Sequence, residues 1–179
     1  METYQLHVAG VTRTMPIRRI SPTLRLASFV MMGDTELIEA CATDLCKKLP
    51  KGIEYLVCPE AKAIALCHAM ARILKLNYVI IRKSVKAYME NPIICEVKSI
   101  TTTEMQHLVL DSGDAQKIAH KKVAIIDDVV STGGSLRSVQ ELLEKAGCTV
   151  IAKAAPIWQH GGFDGKDLIY LAETPVFHD

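Results

Sequence analysis

The stretch Val123-Ala124-Ile125-Ile126-Asp127-Asp128-Val129-Val130-Ser131-Thr132-Gly133-Gly134-Ser135 decides the reading of this chain. Four apolar residues predict a buried strand, closed by Asp127 and Asp128. Hydroxyls and two glycines follow, and the spacing of Leu136, Val139, Leu142 and Leu143 predicts a helix over 135–145, with Gly147 as its stop. In an open α/β sheet, ligands collect beyond the carboxyl ends of the strands. Glycines admit close backbone approach and turn successive N–H groups toward one point. A helix start adds unpaired N–H donors and partial positive charge. The segment therefore predicts a phosphate cradle, with Ser131, Thr132 and Ser135 as hydroxyl donors. Two acids beside such a cradle suit a sugar phosphate, whose phosphate enters the turn while its vicinal hydroxyls bond Asp127 and Asp128. The competing reading is a plain strand-turn-helix with the acids as caps. Adjacent carboxylates at a buried strand end are costly without partners, which weighs against it. Neither Gly-x-x-x-x-Gly-Lys-[Ser/Thr] nor Gly-x-Gly-x-x-Gly occurs.

Strand and helix patterns alternate on both sides of this stretch. Residues 34–49 read as a helix, with Asp34 and Glu36 at its start, Lys47 and Lys48 near its end, and Leu37, Cys41, Leu45 and Leu49 on one face. Residues 53–58 read as a short buried strand and 60–74 as a helix whose core stripe is Ile64, Cys67, Met70, Ala71 and Leu74. A strand over 77–82 ends in Arg82-Lys83. Further on, 149–154 reads as a strand, 158–162 as loop and 168–172 as a last, edge strand. The alternation predicts an α/β fold with a largely parallel sheet, in one domain over 1–179. Residues 84–106 differ: they are polar, carry Pro92 and include Thr101-Thr102-Thr103. Strands over 93–97 and 108–110 would form the base of an excursion, and a connection of this length predicts a functional lid or a disordered piece.

Composition bounds the partners. The 179 residues carry a formal net charge of +1, 49% hydrophobic and 23% charged residues. That balance excludes a disordered chain and argues against a general nucleic-acid binder. No apolar run approaches the ~18 residues needed to span a bilayer, and the opening Met1-Glu2-Thr3-Tyr4-Gln5 lacks a signal-peptide pattern. Cysteines 41, 46, 58, 67, 95 and 148 form no Cys-x-x-Cys pair and no zinc-finger spacing. They read as buried reduced thiols, and a cytoplasmic location follows as an expectation. No nucleic acid and no membrane are expected as partners.

The run Ile125 to Ser135 resembles the signature of the type I phosphoribosyltransferases, which bind 5-phosphoribosyl-1-pyrophosphate (PRPP): two hydrophobic residues, two acids, then Thr-Gly-Gly-[Ser/Thr]. Cys58-Pro59-Glu60-Ala61-Lys62-Ala63 is similar to that family's pyrophosphate loop in its Gly-Pro-Glu-Ala-Arg-Gly form, found in adenine phosphoribosyltransferases, with Lys62 in place of arginine and Ala63 in place of glycine. Arg82-Lys83 followed by Lys86 is similar to an Arg-Lys-x-x-Lys run of the same enzymes. Pro16-Ile17-Arg18-Arg19-Ile20-Ser21-Pro22 resembles their Phe-Arg-Asp-Ile-Ser-Pro stretch, with Arg18 at the family arginine, Arg19 in place of aspartate and Ile17 in place of phenylalanine. The likeness runs from about residue 14 to about residue 155.

The resemblance implies a mostly parallel twisted sheet flanked by helices, a small hood from about 1–33 and a flexible loop over about 84–106. It implies transfer of a phosphoribosyl group from PRPP to a purine, adenine favoured, with hypoxanthine, guanine or xanthine as alternatives. Residues 129–135 (Val129, Val130, Ser131, Thr132, Gly133, Gly134, Ser135) would hold the 5-phosphate. Asp127 and Asp128 would serve as catalytic acids at the ribose, and Glu60, Ala61, Lys62, Arg82, Lys83 and Lys86 would meet pyrophosphate. Arg18 would lie at the base. Glu104 is a candidate proton shuttle, with a solvated glutamate as the competing reading. Mg²⁺, held mainly by substrate, and a homodimer are further implications; no metal site made by the protein alone is expected. The rival from another class is a PRPP-binding regulator without turnover. Trp158 and Phe163 remain open between stacking on a base and packing in the core or loop.

Overall fold

The computed structural model describes residues 2–98 and 105–178. Three strands open the chain, β1 (Thr3–Val8), β2 (Val11–Ser21) and β3 (Leu24–Ala27), followed by α1 (Thr35–Lys48). Next come β4 (Tyr55–Pro59), α2 (Ile64–Leu74), β5 (Asn77–Ile81), β6 (Ile93–Lys98), β7 (Met105–Leu110) and α3 (Ser112–Ile118). The remainder is β8 (Lys122–Ile126), β9 (Val129–Val130), α4 (Gly134–Lys145), β10 (Thr149–Ala154), β11 (Ile157–Gln159), β12 (Ala172–Thr174) and β13 (Val176–His178).

The central sheet is parallel, in the order β10-β8-β4-β5. From β4 the chain winds through α2 to β5 on one side, and from β8 it winds through α4 to β10 on the other. The order therefore reverses between β4 and β8, and the turns that follow these two strands face a common crevice. Both faces of the sheet are covered, which is why Val123, Ala124, Ile125 and Ile126 are all fully buried rather than alternating with polar residues. Leu56, Cys58, Ala124 and Ile126 pack toward α1, α2 and the N-terminal strands. Val57, Val123 and Ile125 pack the other way, against Leu136, Val139, Leu142 and Leu143 of α4.

A second sheet is antiparallel, in the order β1-β2-β3-β13, and supplies the expected hood element. Its inner residues Leu6, Val8, Met15 and Ala27 join the α1 side of the core. The hairpin β6-β7 pairs Ile93 with Leu110 at its base, as the sequence pattern predicts. The run 101–103 and Glu104 lie outside the described residues.

Helix α1 follows its sequence signals. Asp34 caps it by accepting from Leu37 N–H at 3.1 Å, and Leu37, Cys41 and Leu45 are buried on one face. Elsewhere the structure departs from the pattern. Helix α2 starts at Ile64 rather than at 60. Residues 60–63 form a turn instead, in which Glu60 N–H bonds Ile81 O across the sheet edge at 2.9 Å. The 158–162 segment is not all loop, since Ile157–Gln159 pairs with both β9 and β12. Of the expected strand 168–172, residues 168–171 form only a single bridge from Ile169 to Ala154, and Ala172 already opens β12. The chain instead continues to β12 and then to β13, which closes the antiparallel sheet on β3. Helix α3 carries no long apolar stripe, and its sequence does not announce it.

Candidate active site

Strand β8 ends at Ile126, and the next two residues sit at the crevice between β8 and β4. Asp127 N–H still bonds Ala154 O at 3.0 Å, which fixes the chain as it leaves the sheet. Asp127 Oδ1 accepts from Asp128 N–H at 2.9 Å. Both carboxylates are buried, and Asp128 Oδ2 has no hydrogen-bond partner. Burial, reinforced by the charge of Asp128, pushes the Asp127 carboxyl up to about 7. A buried carboxylate oxygen left without a donor is a costly arrangement, and a ligand hydroxyl would relieve it.

Beyond the acids the backbone turns sharply. Gly133 has φ 73° and caps α4, a conformation in which a side chain is strained. Asp127, Val129, Val130, Ser131, Thr132, Gly133, Ser135 and Leu136 surround a cavity of about 200 Å³. All the residues expected at the phosphate except Gly134 line it, and Gly134 N–H is held by Thr132 Oγ1 at 3.4 Å. The N-terminus of α4 faces this turn and brings the dipole expected there.

Cations stand on the opposite side of the crevice. Lys62, on the turn after β4, places Nζ 4.0 Å from Asp128 Oδ2, close enough for charge attraction but beyond a hydrogen bond. Glu60 does not reach outward; its carboxylate accepts from Arg82 Nε at 2.8 Å and from Lys83 N–H at 2.6 Å. Burial works to raise the Glu60 carboxyl, but the Lys83 N–H bond and the Arg82 charge outweigh it and hold the group below its usual range. Glu60 thus fixes the basic segment after β5 against the turn after β4. Arg82 Nη1 also meets Tyr88 OH at 3.3 Å, and Lys86 Nζ meets Ser84 Oγ at 2.7 Å. Ala61 is exposed on the same turn, and the peptide joining it to Glu60 is cis.

Arg18 lies apart from this group. It is exposed on β2, opposite Leu26 in the antiparallel sheet, and does not line the cavity. Two features escaped the sequence reading. Arg137, one turn into α4, reaches back to Thr132 O at 3.4 Å and adds a cation beside the turn. The 160–165 loop packs directly on the turn, with Phe163 N–H bonded to Ser131 O at 3.2 Å. The glycines of that loop, Gly161, Gly162 and Gly165, were the available signal. Trp158 packs against Tyr170 and His160 at 5.3 and 4.6 Å between ring centroids.

Among the described residues no group of three or more His, Cys, Asp or Glu side chains could hold a metal unaided. The Asp127 and Asp128 carboxylates are hard oxygen donors with one unpartnered atom, a set that fits Mg²⁺ bound chiefly through substrate oxygens and water. No helix among the described residues is long and apolar enough to cross a membrane.

The family of the phosphoribosyl transferase domain matches residues 35–167, a span that holds the acids, the glycine turn and both basic segments. The chain belongs to the type I phosphoribosyltransferases. Among curated proteins, the adenine phosphoribosyltransferase of Kosmotoga olearia is 32% identical over 124 residues, which is 67% of this chain and 68% of that protein. The HGPRTase-like protein 3 of Haloterrigena turkmenica is 27% identical over 119 residues, 66% of this chain but only 60% of that protein's length. In fold, this phosphoribosyltransferase chain is similar to the crystal structure of the adenine phosphoribosyltransferase from Rhodothermus marinus, with a TM-score of 0.68, 19% identity, and coverage of 96% of this chain and 93% of that one.

Proposed function

We propose that the protein transfers the phosphoribosyl group of PRPP to a ring nitrogen of a purine, releasing pyrophosphate. The observation that carries this reading is the buried acid pair beside the glycine turn, with one carboxylate oxygen lacking a donor. A ribose hydroxyl supplies that donor, and the 5-phosphate takes the cavity at 129–135. Adenine is the favoured acceptor, supported by the Kosmotoga olearia relative; hypoxanthine, guanine or xanthine is the second reading, supported by a hypoxanthine/guanine phosphoribosyltransferase of Methanococcus voltae that is 28% identical over 127 residues. Arg18 of the hood is assigned to the base side, and Glu104 remains the candidate proton shuttle.

Each group then has a task. The turn anchors a remote phosphate whose binding energy supports orientation of the anomeric carbon. Asp127 and Asp128 hold the ribose hydroxyls and place negative charge near an oxocarbenium-like transition state, an electrostatic stabilisation. Lys62, Arg82, Lys83 and Lys86 take up the charge of departing pyrophosphate, with Glu60 holding Arg82 in place. Mg²⁺, when bound, supplies charge neutralisation at the pyrophosphate and ribose oxygens. A lid role is assigned to the excursion at 84–106, whose residues 99–104 lie outside the described residues; such a lid would keep water from the reacting centre.

Pyrophosphate release, measured with PRPP, Mg²⁺ and adenine, hypoxanthine, guanine and xanthine in turn, tests the proposal. Release with one purine supports it and names the acceptor. PRPP binding with no release for any base favours a regulator, and absence of PRPP binding removes the reading altogether.

A further inference from the structure

The turn at 131–134 and the loop at 160–165 fit together by an exchange of glycines. A Cβ on Gly133 would lie 2.7 Å from Cδ2 of Phe163, so the aromatic ring occupies the space that this glycine leaves. In return, a Cβ on Gly161 would overlap Ser131 Oγ. The backbone of Gly161 is outside the left-handed region, so its need for glycine is one of space alone. Between the two contacts, Phe163 N–H donates to Ser131 O at 3.2 Å. The loop is itself fastened from behind. Trp158 Nε1–H donates to Phe163 O at 3.3 Å, and the indole lies over Gly165, where a Cβ would stand 3.1 Å from the ring. Trp158 belongs to β11, which pairs with β9 immediately after the acids.

From this interlock we infer that the Gly161–Phe163 segment is a positioning element for the phosphate turn. It confines the Ser131 hydroxyl and carbonyl, and so sets the shape of the turn before ligand arrives. The inference rests on the proposed phosphoribosyl-transfer reading and adds residues outside the motif to it. Preorganisation of this kind lowers the cost of ordering the turn on binding. Loss of the segment's support therefore weakens sugar-phosphate affinity, while the acids and cations that act on the reacting centre stay in place.

The test is a double-mutant cycle between Gly161→Ala and Ser131→Ala, with Phe163→Leu as a second route should Gly161→Ala fail to fold. Ribose 5-phosphate and PRPP with Mg²⁺ are titrated by calorimetry and by fluorescence of Trp158, the sole tryptophan. The expected result is at least tenfold weaker binding in Gly161→Ala, with KM for PRPP raised and kcat at saturation within about threefold of wild type. In the Ser131→Ala background the overlapping Oγ is gone and only the tight but tolerable 3.2 Å approach to the residue-131 Cβ remains, so the same glycine substitution should cost less than threefold. Phe163→Leu should weaken binding in the same direction. Wild-type binding with Gly161→Ala unaffected, or an equal penalty in both backgrounds, overturns the inference and leaves the proposed function standing. Failure of wild-type protein to bind either probe overturns the proposed function and this inference with it.

Discussion

Lys62 Nζ stands 4.0 Å from Asp128 Oδ2, across the crevice where the order of the central strands reverses. The lysine is exposed and the aspartate buried, so the pair joins the solvent side of the crevice to its floor. Asp128→Asn removes the negative charge without changing the side-chain volume. Turnover should fall by about 10²-fold or more, the usual cost of losing one electrostatic group aimed at a developing charge. Thermal melting should stay within a few degrees of wild type. Steady-state rates and a melting curve on the same preparation check both halves.

The partner substitution acts differently. Lys62→Ala leaves the acids in place and removes the cation that the proposed function assigns to the leaving group. KM for PRPP and the inhibition constant of pyrophosphate should both rise, by about tenfold, with a smaller change in kcat. A kcat loss as large as that of Asp128→Asn would place Lys62 at the ribose rather than at the pyrophosphate.

Glu60 holds Arg82 and the Lys83 backbone by two hydrogen bonds. Glu60→Ala should release both and weaken pyrophosphate inhibition by about tenfold, near the low end for a bond to a charged group. Product-inhibition kinetics read this directly. An unchanged inhibition constant would mean that Arg82 keeps its position without the glutamate.

Asp127 is held up to about 7 by burial and by its neighbour's charge. An unfolded aspartate titrates near 3.9. The folded state therefore retains a proton that the unfolded chain gives up between about pH 4 and pH 7. Stability contributed by this group falls as pH rises through that window. Asp127→Asn removes the titration, so the variant's melting temperature should gain on wild type between pH 4.5 and pH 8. Parallel curves for the two proteins across that range would refute the assignment.

Chelation separates the protein's own frame from its ligand. With no cluster of three or more metal-binding side chains among the described residues, EDTA should abolish turnover without moving the melting point of donor-free protein. Added Mg²⁺ should restore the rate. A drop in melting temperature on chelation alone would reveal a metal bound by the protein itself.

The parts of the fold legible in the sequence are those under local rules. Val123 to Ile126 announces a doubly covered strand because both faces of a parallel sheet are buried. Asp34 announces a helix start because the cap is a contact three residues long. The glycine turn announces its own geometry through Gly133. What stayed hidden depends on distant partners. The turn before α2 is tied to Ile81, a residue beyond that helix, through Glu60 N–H. The strand at Ile157–Gln159 exists because β9 and β12 lie beside it. Gly161 reads as an ordinary loop glycine until Ser131, thirty positions earlier, is seen against it. Glu60 reads as one more charge at a binding loop, and only its two partners show that it faces inward.

The antiparallel sheet has an uneven ancestry in the chain: β1, β2 and β3 are neighbours in sequence, but β13 reaches them from Val176–His178. Pairing of such widely separated segments closes a very long loop and gives the sheet a high contact order, so it is expected to be a late step in folding. Until that step, the outer edge of β3 is an unpaired row of backbone donors and acceptors, open to self-association. Nascent or thermally loosened protein should therefore aggregate through this edge before its central parallel sheet comes apart.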